Sequence, residues 1–236
     1  MPPVPVVRVE GLRPDGNVSI TPEALVVAGR LQRDSKSART RKAEAALGLG
    51  DVLYFYVGWA NPDFGDMVFA YHPEMTQGHT GSATYFDTGA FHRGAIHRTD
   101  NSTSHDYLEL HRMELPGWQP AFDAYVSEYF ASASAYMTGQ RPTTDDPSGR
   151  LLHANNGRWA WTWELQLLED HDLGASLLQA FFAREVHQKF QSLYENAQEQ
   201  ADRQMAAVLV KTSEEVDASD GFGACQRAEE VMATWV

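Results

Sequence analysis

The chain has 236 residues, 43% hydrophobic and 11% aromatic, enough to bury a sizeable core and unlike the composition of a disordered polymer. Nineteen Lys and Arg against 32 Asp and Glu give a formal net charge of −13, a surface that repels polyanions at long range and argues against wholesale nucleic-acid coating. The single cysteine, Cys225, excludes an intramolecular disulfide. With no signal-like N-terminus and no run of about 18 apolar residues, the expectation is a soluble, cytoplasmic protein with no membrane partner.

Residues 1–20, rich in Pro, Val and Gly, read as an extended arm or edge strand. Thr21-Pro22-Glu23 opens a helix, with threonine as N-cap and proline at the first helical position. The stretch 33–47 reads as a second helix ending at Gly48 and Gly50. Positive charge concentrates here, in Arg30, Arg33, Lys36, Arg39, Arg41 and Lys42 against Asp34 and Glu44. A solvated helix face accounts for it; a phosphate or RNA contact is the sharper alternative.

Val52-Leu-Tyr-Phe-Tyr-Val57 is an apolar, aromatic run of buried-strand length, and after the turn Asn61-Pro62-Asp63 a second strand is expected at 67–71. Residues 72–106 show little periodicity, which marks a functional segment, and 107–113 read as another strand. Phe122, Val126, Tyr129, Phe130, Ala133, Tyr136 and Met137 recur at helical spacing, predicting one amphipathic helix over 121–137. A polar loop spans 139–157. Over 159–167, Trp159, Trp161, Trp163, Leu165 and Leu167 alternate with Thr162, Glu164 and Gln166, predicting a strand with one apolar and one polar face. Residues 175–212 read as helical, with a stripe through Phe182, Phe190 and Met205, and a last short helix follows from Ala224 to Trp235. The fold class is therefore α+β: a small, split, mostly antiparallel sheet flanked by helices, with a helical C-terminal region. Residues 1–50 form an N-terminal arm and helical segment, 51–170 a mixed α/β core, and 171–236 a helical region packed on it, together one compact domain.

Three features carry chemical potential. Glu164 sits mid-strand between neutral polar groups, so in a cleft it would orient a ribose hydroxyl or steady a developing positive charge; on a wet face it does nothing chemical. Gly78-His79-Thr80-Gly81-Ser82-Ala83-Thr84-Tyr85-Phe86-Asp87-Thr88-Gly89 interleaves glycines with hydroxyls, allowing close backbone approach to a ligand, or simply a capped turn. Six of nine histidines, His72, His79, His92, His97, His105 and His111, cluster in 40 residues without metal-ligand spacing. Neither a P-loop, a Rossmann glycine fingerprint nor a nucleophile elbow is present, and Cys225 has no histidine near it in sequence.

Taken in order, the aromatic strand 52–57, Ser82-Ala83-Thr84 and Thr162-Trp163-Glu164 resemble the ADP-ribosyltransferase superfamily over about residues 50–170. In that family a split pair of small sheets clamps NAD, and in one branch successive strands supply an arginine, a Ser-Thr-Ser-like motif and a catalytic glutamate. The resemblance implies NAD as substrate, Glu164 as the catalytic glutamate, and Ser82 and Thr84 holding Glu164 and the ribose. Tyr54 and Tyr56 stand where the family has arginine or histidine, and are assigned to NAD binding. Tyr85 or Phe86 would stack on nicotinamide, and His79 would contact the pyrophosphate or act on the acceptor. Thr162, two residues before Glu164, replaces the Gln or Glu of members that modify arginine or asparagine. The acceptor stays open among protein, nucleic acid and small molecule, with arginine disfavoured. Two other classes stand beside this one: an assembly protein, self-associating through the acidic C-terminal helices, and a histidine-dependent metalloenzyme.

Overall fold

The computed structural model describes residues 2–13, 16–33, 38–92, 104–143, 157–217 and 223–236. The β-branched and aromatic runs pair as the α+β class requires. Strands β1 (Val6–Glu10), β3 (Leu53–Val57), β4 (Met67–Tyr71), β5 (Gly81–Thr84), β6 (Met113–Glu114), β7 (Glu164–Leu167), β9 (Leu177–Ala183) and β10 (Ser213–Val216) form a sheet in the order β10-β9-β4-β1-β3-β7-β5-β6. Every pairing is antiparallel except β9 with β10, and β2 (Arg30–Leu31) pairs with β8 (His171–Asp172) in a separate ribbon. The sheet runs unbroken through eight strands, larger than the small, split one anticipated.

That continuity comes from β1, which lies between β3 and β4 and is no edge strand. Val6, Val7 and Val9 are all buried, because the sheet is covered on both faces and neither side of the strand meets water. The N-terminal segment is therefore part of the central core rather than an arm laid on it. β9 is a second correction. Residues 175–212 do not begin as helix: consecutive Phe181 and Phe182, both fully buried, satisfy the two faces of a strand. Helical periodicity starts only at α7 (Arg184–Asn196) and resumes in α8 (Gln200–Thr212). The stripe expected to mediate assembly is largely core, with the Phe190 ring 4.8 Å from that of Phe182.

Local chemistry sets the other boundaries. In α1 (Pro22–Ala28) the Thr21 hydroxyl accepts the Ala24 N–H as the sequence predicts, and α2 (Ala38–Leu47) stops at Gly48, whose φ is +69°. The helix expected over 121–137 is two, α5 (Trp118–Tyr129) and α6 (Ala133–Met137). Phe130 is extended and Ser132 caps the second helix through Ala135 N–H, a local bond that competes with continuation. Of residues 107–113, expected as a strand, 107–111 belong to a helix, α4 (Ser104–His111), and only Met113 is strand, in β6; Asp106 in the first turn of α4 and His111 in its last give the charge order that complements a helix dipole. The strand expected over 159–167 begins only at Glu164: Arg158–Ala160 form a 3-10 turn, and the Thr162 hydroxyl donates to Arg158 O. Trp163 packs instead among Phe122, Tyr125 and Tyr85. The segment 72–106, expected to lack regular structure, holds a 3-10 turn at Pro73–Thr76, β5, α3 (Thr88–His92) and the start of α4; residues 93–103 lie outside the described residues. Most of the loop expected at 139–157 lies outside them too. The last helix, α9 (Gly223–Met232), falls where the sequence placed it and packs on β9 and β4. Among the described residues no helix is long and apolar enough to cross a membrane.

Candidate functional site

Antiparallel register puts directly opposite residues on one face. Tyr54 of β3 faces Gln166 of β7, which faces Ser82 of β5; one step along, Tyr56 faces Glu164, which faces Thr84. Two rows of polar side chains thus cross three strands, while Phe55, Leu165 and Ala83 occupy the reverse face. The sequence predicted a polar face on this strand; the structure buries it, with Glu164 only 1% exposed.

Burial obliges each polar group to find a partner. Glu164 Oε1 accepts from Thr88 Oγ1 at 2.5 Å and from Gln166 Nε2 at 2.8 Å, and its Oε2 accepts from the Tyr56 hydroxyl at 3.1 Å. The same hydroxyl lies 2.9 Å from Asp87 Oδ2. Asp87 precedes α3 and caps it, its Oδ1 accepting Ala90 N–H at 2.6 Å. Ser82 Oγ donates to Gln166 Oε1 at 2.7 Å, which orients the Gln166 amide with its NH2 toward Glu164. Glu44, buried on α2, hydrogen-bonds Tyr54. The ring of Tyr56 is held by Phe64 stacked at 5.5 Å and Trp59 edge-on at 5.5 Å.

Electrostatics follow from this geometry. Burial, then the charge of Asp87, pushes the Glu164 carboxyl up to about 8, against the pull of its three donors. Burial and the two carboxylates hold the Tyr56 hydroxyl well above its ordinary range; burial, then Glu164 and Glu44, does the same for Tyr54. A buried pair of carboxylates bridged by one phenol can hold or release a proton near neutral pH, the property expected of an acid–base or cation-stabilising site.

Of the residues singled out by sequence, the structure gathers Glu164, Tyr54, Tyr56, Ser82 and Thr84 on this face. The Thr84 hydroxyl, however, is committed to Phe86 O at 2.8 Å. Tyr85 and Phe86 lie elsewhere, in the aromatic core: Tyr85 against Tyr125 and Trp163, Phe86 against Phe91. His79 stands apart as well. Its Nε2 is 3.3 Å from His171 Nδ1 and its Nδ1 3.4 Å from Glu169 Oε2. His171 in turn packs on Phe55 and Tyr71, across the sheet from Glu164. Asp87 and Thr88 are the functional candidates that the glycine-rich reading of 78–89 passed over. The signal for them was an Asp three residues before a backbone N–H that opens a helix.

Three other histidines make separate local contacts. His72 caps the 3-10 turn through Glu74 N–H, His105 lies against Gly48 and His111 against the Tyr85 ring, while His97 lies outside the described residues. Among the described residues no three His, Cys, Asp or Glu side chains are placed to hold a metal ion. In the basic cluster Arg30 and Arg33 both reach Asp170, at 3.7 and 3.3 Å, and Arg41 and Lys42 are exposed on α2; Lys36 and the Arg39 side chain lie outside the described residues.

The buried histidine makes a stability prediction. Burial lowers the His171 pKa below 6.5, helped by His79 and opposed by the Ala175 carbonyl. The unfolded chain then takes up a proton first as pH falls, so this contribution is present above about pH 6.5 and is lost below it. Urea midpoints of wild type and His171→Gln should converge between about pH 7 and about pH 5.5. A constant difference would contradict a neutral, buried His171.

Compared with family models, curated proteins and solved structures, the chain matches none.

Proposed function

We propose that the polar face of β3, β5 and β7 is the catalytic face of an ADP-ribosyltransferase-like enzyme. It would cleave NAD at the nicotinamide–ribose bond and pass ADP-ribose to an acceptor. The observation that supports this reading is the register that brings Tyr54, Tyr56, Ser82 and Thr84 onto one face with Glu164. These positions come from three separate stretches of sequence, and each was assigned to the site by order alone.

A ribose hydroxyl reaching Glu164 would take the place of Thr88 at Oε1 or Tyr56 at Oε2. As the bond to nicotinamide breaks, the leaving group departs with the electron pair, and positive charge develops on the ribose. A carboxylate fixed by neighbouring donors stabilises that charge without having to reorganise. Ser82 acts through Gln166, fixing the amide that holds Glu164. Tyr54, tied to α2 through Glu44, remains the NAD-facing aromatic, whereas His79, Tyr85 and Phe86 have no part in this version of the site. The acceptor stays a protein, nucleic acid or small molecule. A cytoplasmic setting suits the reading, since the one cysteine, Cys225, is buried and without a disulfide partner.

The burial of Glu164 favours a second reading, in which the network is structural and fastens α2 and α3 to the sheet. Nicotinamide release from NAD, measured for wild type beside Glu164→Gln, separates the two. Release by wild type alone supports the transferase. Equal release by the variant removes Glu164 from the chemistry. A wild-type protein that neither binds NAD nor releases nicotinamide leaves the structural role.

A further inference from the structure

The Tyr56 hydroxyl has one proton and two carboxylate oxygens to serve, Asp87 Oδ2 at 2.9 Å and Glu164 Oε2 at 3.1 Å. With both acids ionised, one of those oxygens faces the phenol oxygen with no hydrogen between them, inside a buried site where such an arrangement is costly. A single additional proton resolves this. Placed on Glu164 Oε2, it is donated to the Tyr56 oxygen, and Tyr56 donates its own proton to Asp87. The alternative placement, on Asp87, is disfavoured by Asp87's other role: its Oδ1 receives Ala90 N–H at the start of α3, so the negative charge is best held there. Oε1 of Glu164 is already filled by Thr88 and Gln166, an acceptor role that it keeps in either protonation state.

We propose that Asp87 is the positioning residue of this site: acting through Tyr56, it keeps a proton on Glu164, so that the two acids together carry one negative charge. The groups that act on Glu164 among the described residues are Asp87 and Thr88 at α3, Tyr56 and Gln166 on the sheet, and the Tyr54–Glu44 pair linking β3 to α2. Its use in catalysis rests on the transferase reading above. There, the single negative charge of the pair would steady the ribose cation and then be neutralised by the proton released by the acceptor: the bond from C1′ to nicotinamide breaks, the bond from C1′ to the acceptor forms, the acceptor's proton enters at Glu164, and the proton already on Glu164 passes to Tyr56 as Tyr56 passes its own to Asp87.

The proton can be observed without any turnover, as the infrared carbonyl stretch of a buried protonated carboxyl group in the intact protein. Spectra of wild type, Glu164→Gln, Asp87→Asn and Thr88→Val would be followed from about pH 6 to about pH 10. Wild type should show the band and lose it as pH rises through about 8, and Glu164→Gln should lack it. Asp87→Asn keeps the helix cap but removes the charge, so its band should disappear at a pH lower by about one unit or more. Thr88→Val removes a donor that favours the ionised form and leaves the link through Tyr56 in place, so its band should persist to higher pH. A general loosening of the structure would move both variants the same way; opposite shifts would not come from it. A band that survives in Glu164→Gln, or that titrates unchanged in Asp87→Asn, overturns the proposal. Opposite shifts without nicotinamide release uphold the proton placement and remove the transferase, whereas release with an unmoved band does the reverse.

Discussion

Gly81→Ala is expected to unfold this protein or leave it several kcal/mol less stable, while Gly78→Ala, three residues away, costs about 1 kcal/mol. Both glycines have positive φ, +152° at Gly81 and +80° at Gly78, so both carry a conformational penalty on gaining a side chain. Only one carries a collision. A Cβ at Gly78 meets nothing within 4 Å, whereas one at Gly81 overlaps the carbonyl oxygen of Gln166 and comes within 3.1 Å of the Leu167 Cα. Those are backbone atoms of β7, which cannot swing aside as a side chain would. Relief requires β5 to lift off β7, and that pairing is what sets Ser82 opposite Gln166 and Thr84 opposite Glu164. Stability and site should therefore fail together in Gly81→Ala and survive together in Gly78→Ala, measured by urea denaturation and by the carboxyl band. A Gly81→Ala protein as stable as wild type would show that the β5–β7 register is not the one described.

What the sequence revealed follows physical lines. Strands β3 and β4 were legible because each is an unbroken apolar run between turn residues, and α1 because Thr21-Pro22 states a helix start twice over. The helix–strand ambiguity was decided wrongly where short apolar runs fit both periods. Phe181-Phe182 was absorbed into a helical stripe, and Trp159, Trp161 and Trp163 into a strand, although a 3-10 turn at Arg158–Ala160 breaks their alternation. β1 was hidden differently: five residues beside a proline-rich start look like an edge until the long-range partners Tyr56 and Val68 are known. Within the site, Glu164 was visible because it is the lone carboxylate of its strand, and Gln166 because it shares the face. Asp87 was invisible as a partner to Glu164, since 77 positions separate them and only the fold, with Tyr56 between, makes them neighbours.

Glu164→Gln should be more stable than wild type in mildly alkaline solution, although it is expected to lose its chemistry. The amide can reproduce the contacts of the protonated acid: its oxygen accepts from Thr88 and Gln166, and its NH2 donates to Tyr56, which donates on to Asp87. What the amide lacks is a titration. In wild type the folded carboxyl binds its proton up to about pH 8, against an ordinary value of 4.5. Between those values the folded state holds a proton that the unfolded chain has released, so stability falls as pH rises. The contribution is fully present below about pH 4.5 and gone above about pH 8, and a shift of this size corresponds to on the order of 5 kcal/mol. Urea midpoints of the two proteins should therefore nearly coincide at about pH 5 and diverge in favour of the variant by about pH 8.5. His171 titrates in both proteins and cancels from the difference. Parallel stability curves would mean that Glu164 is ionised in the folded protein throughout, and both the shared proton and the role of Asp87 would fall with it. Divergence would mark a carboxylate retained at a cost to the fold, which is the signature of a residue kept for its chemistry rather than for packing.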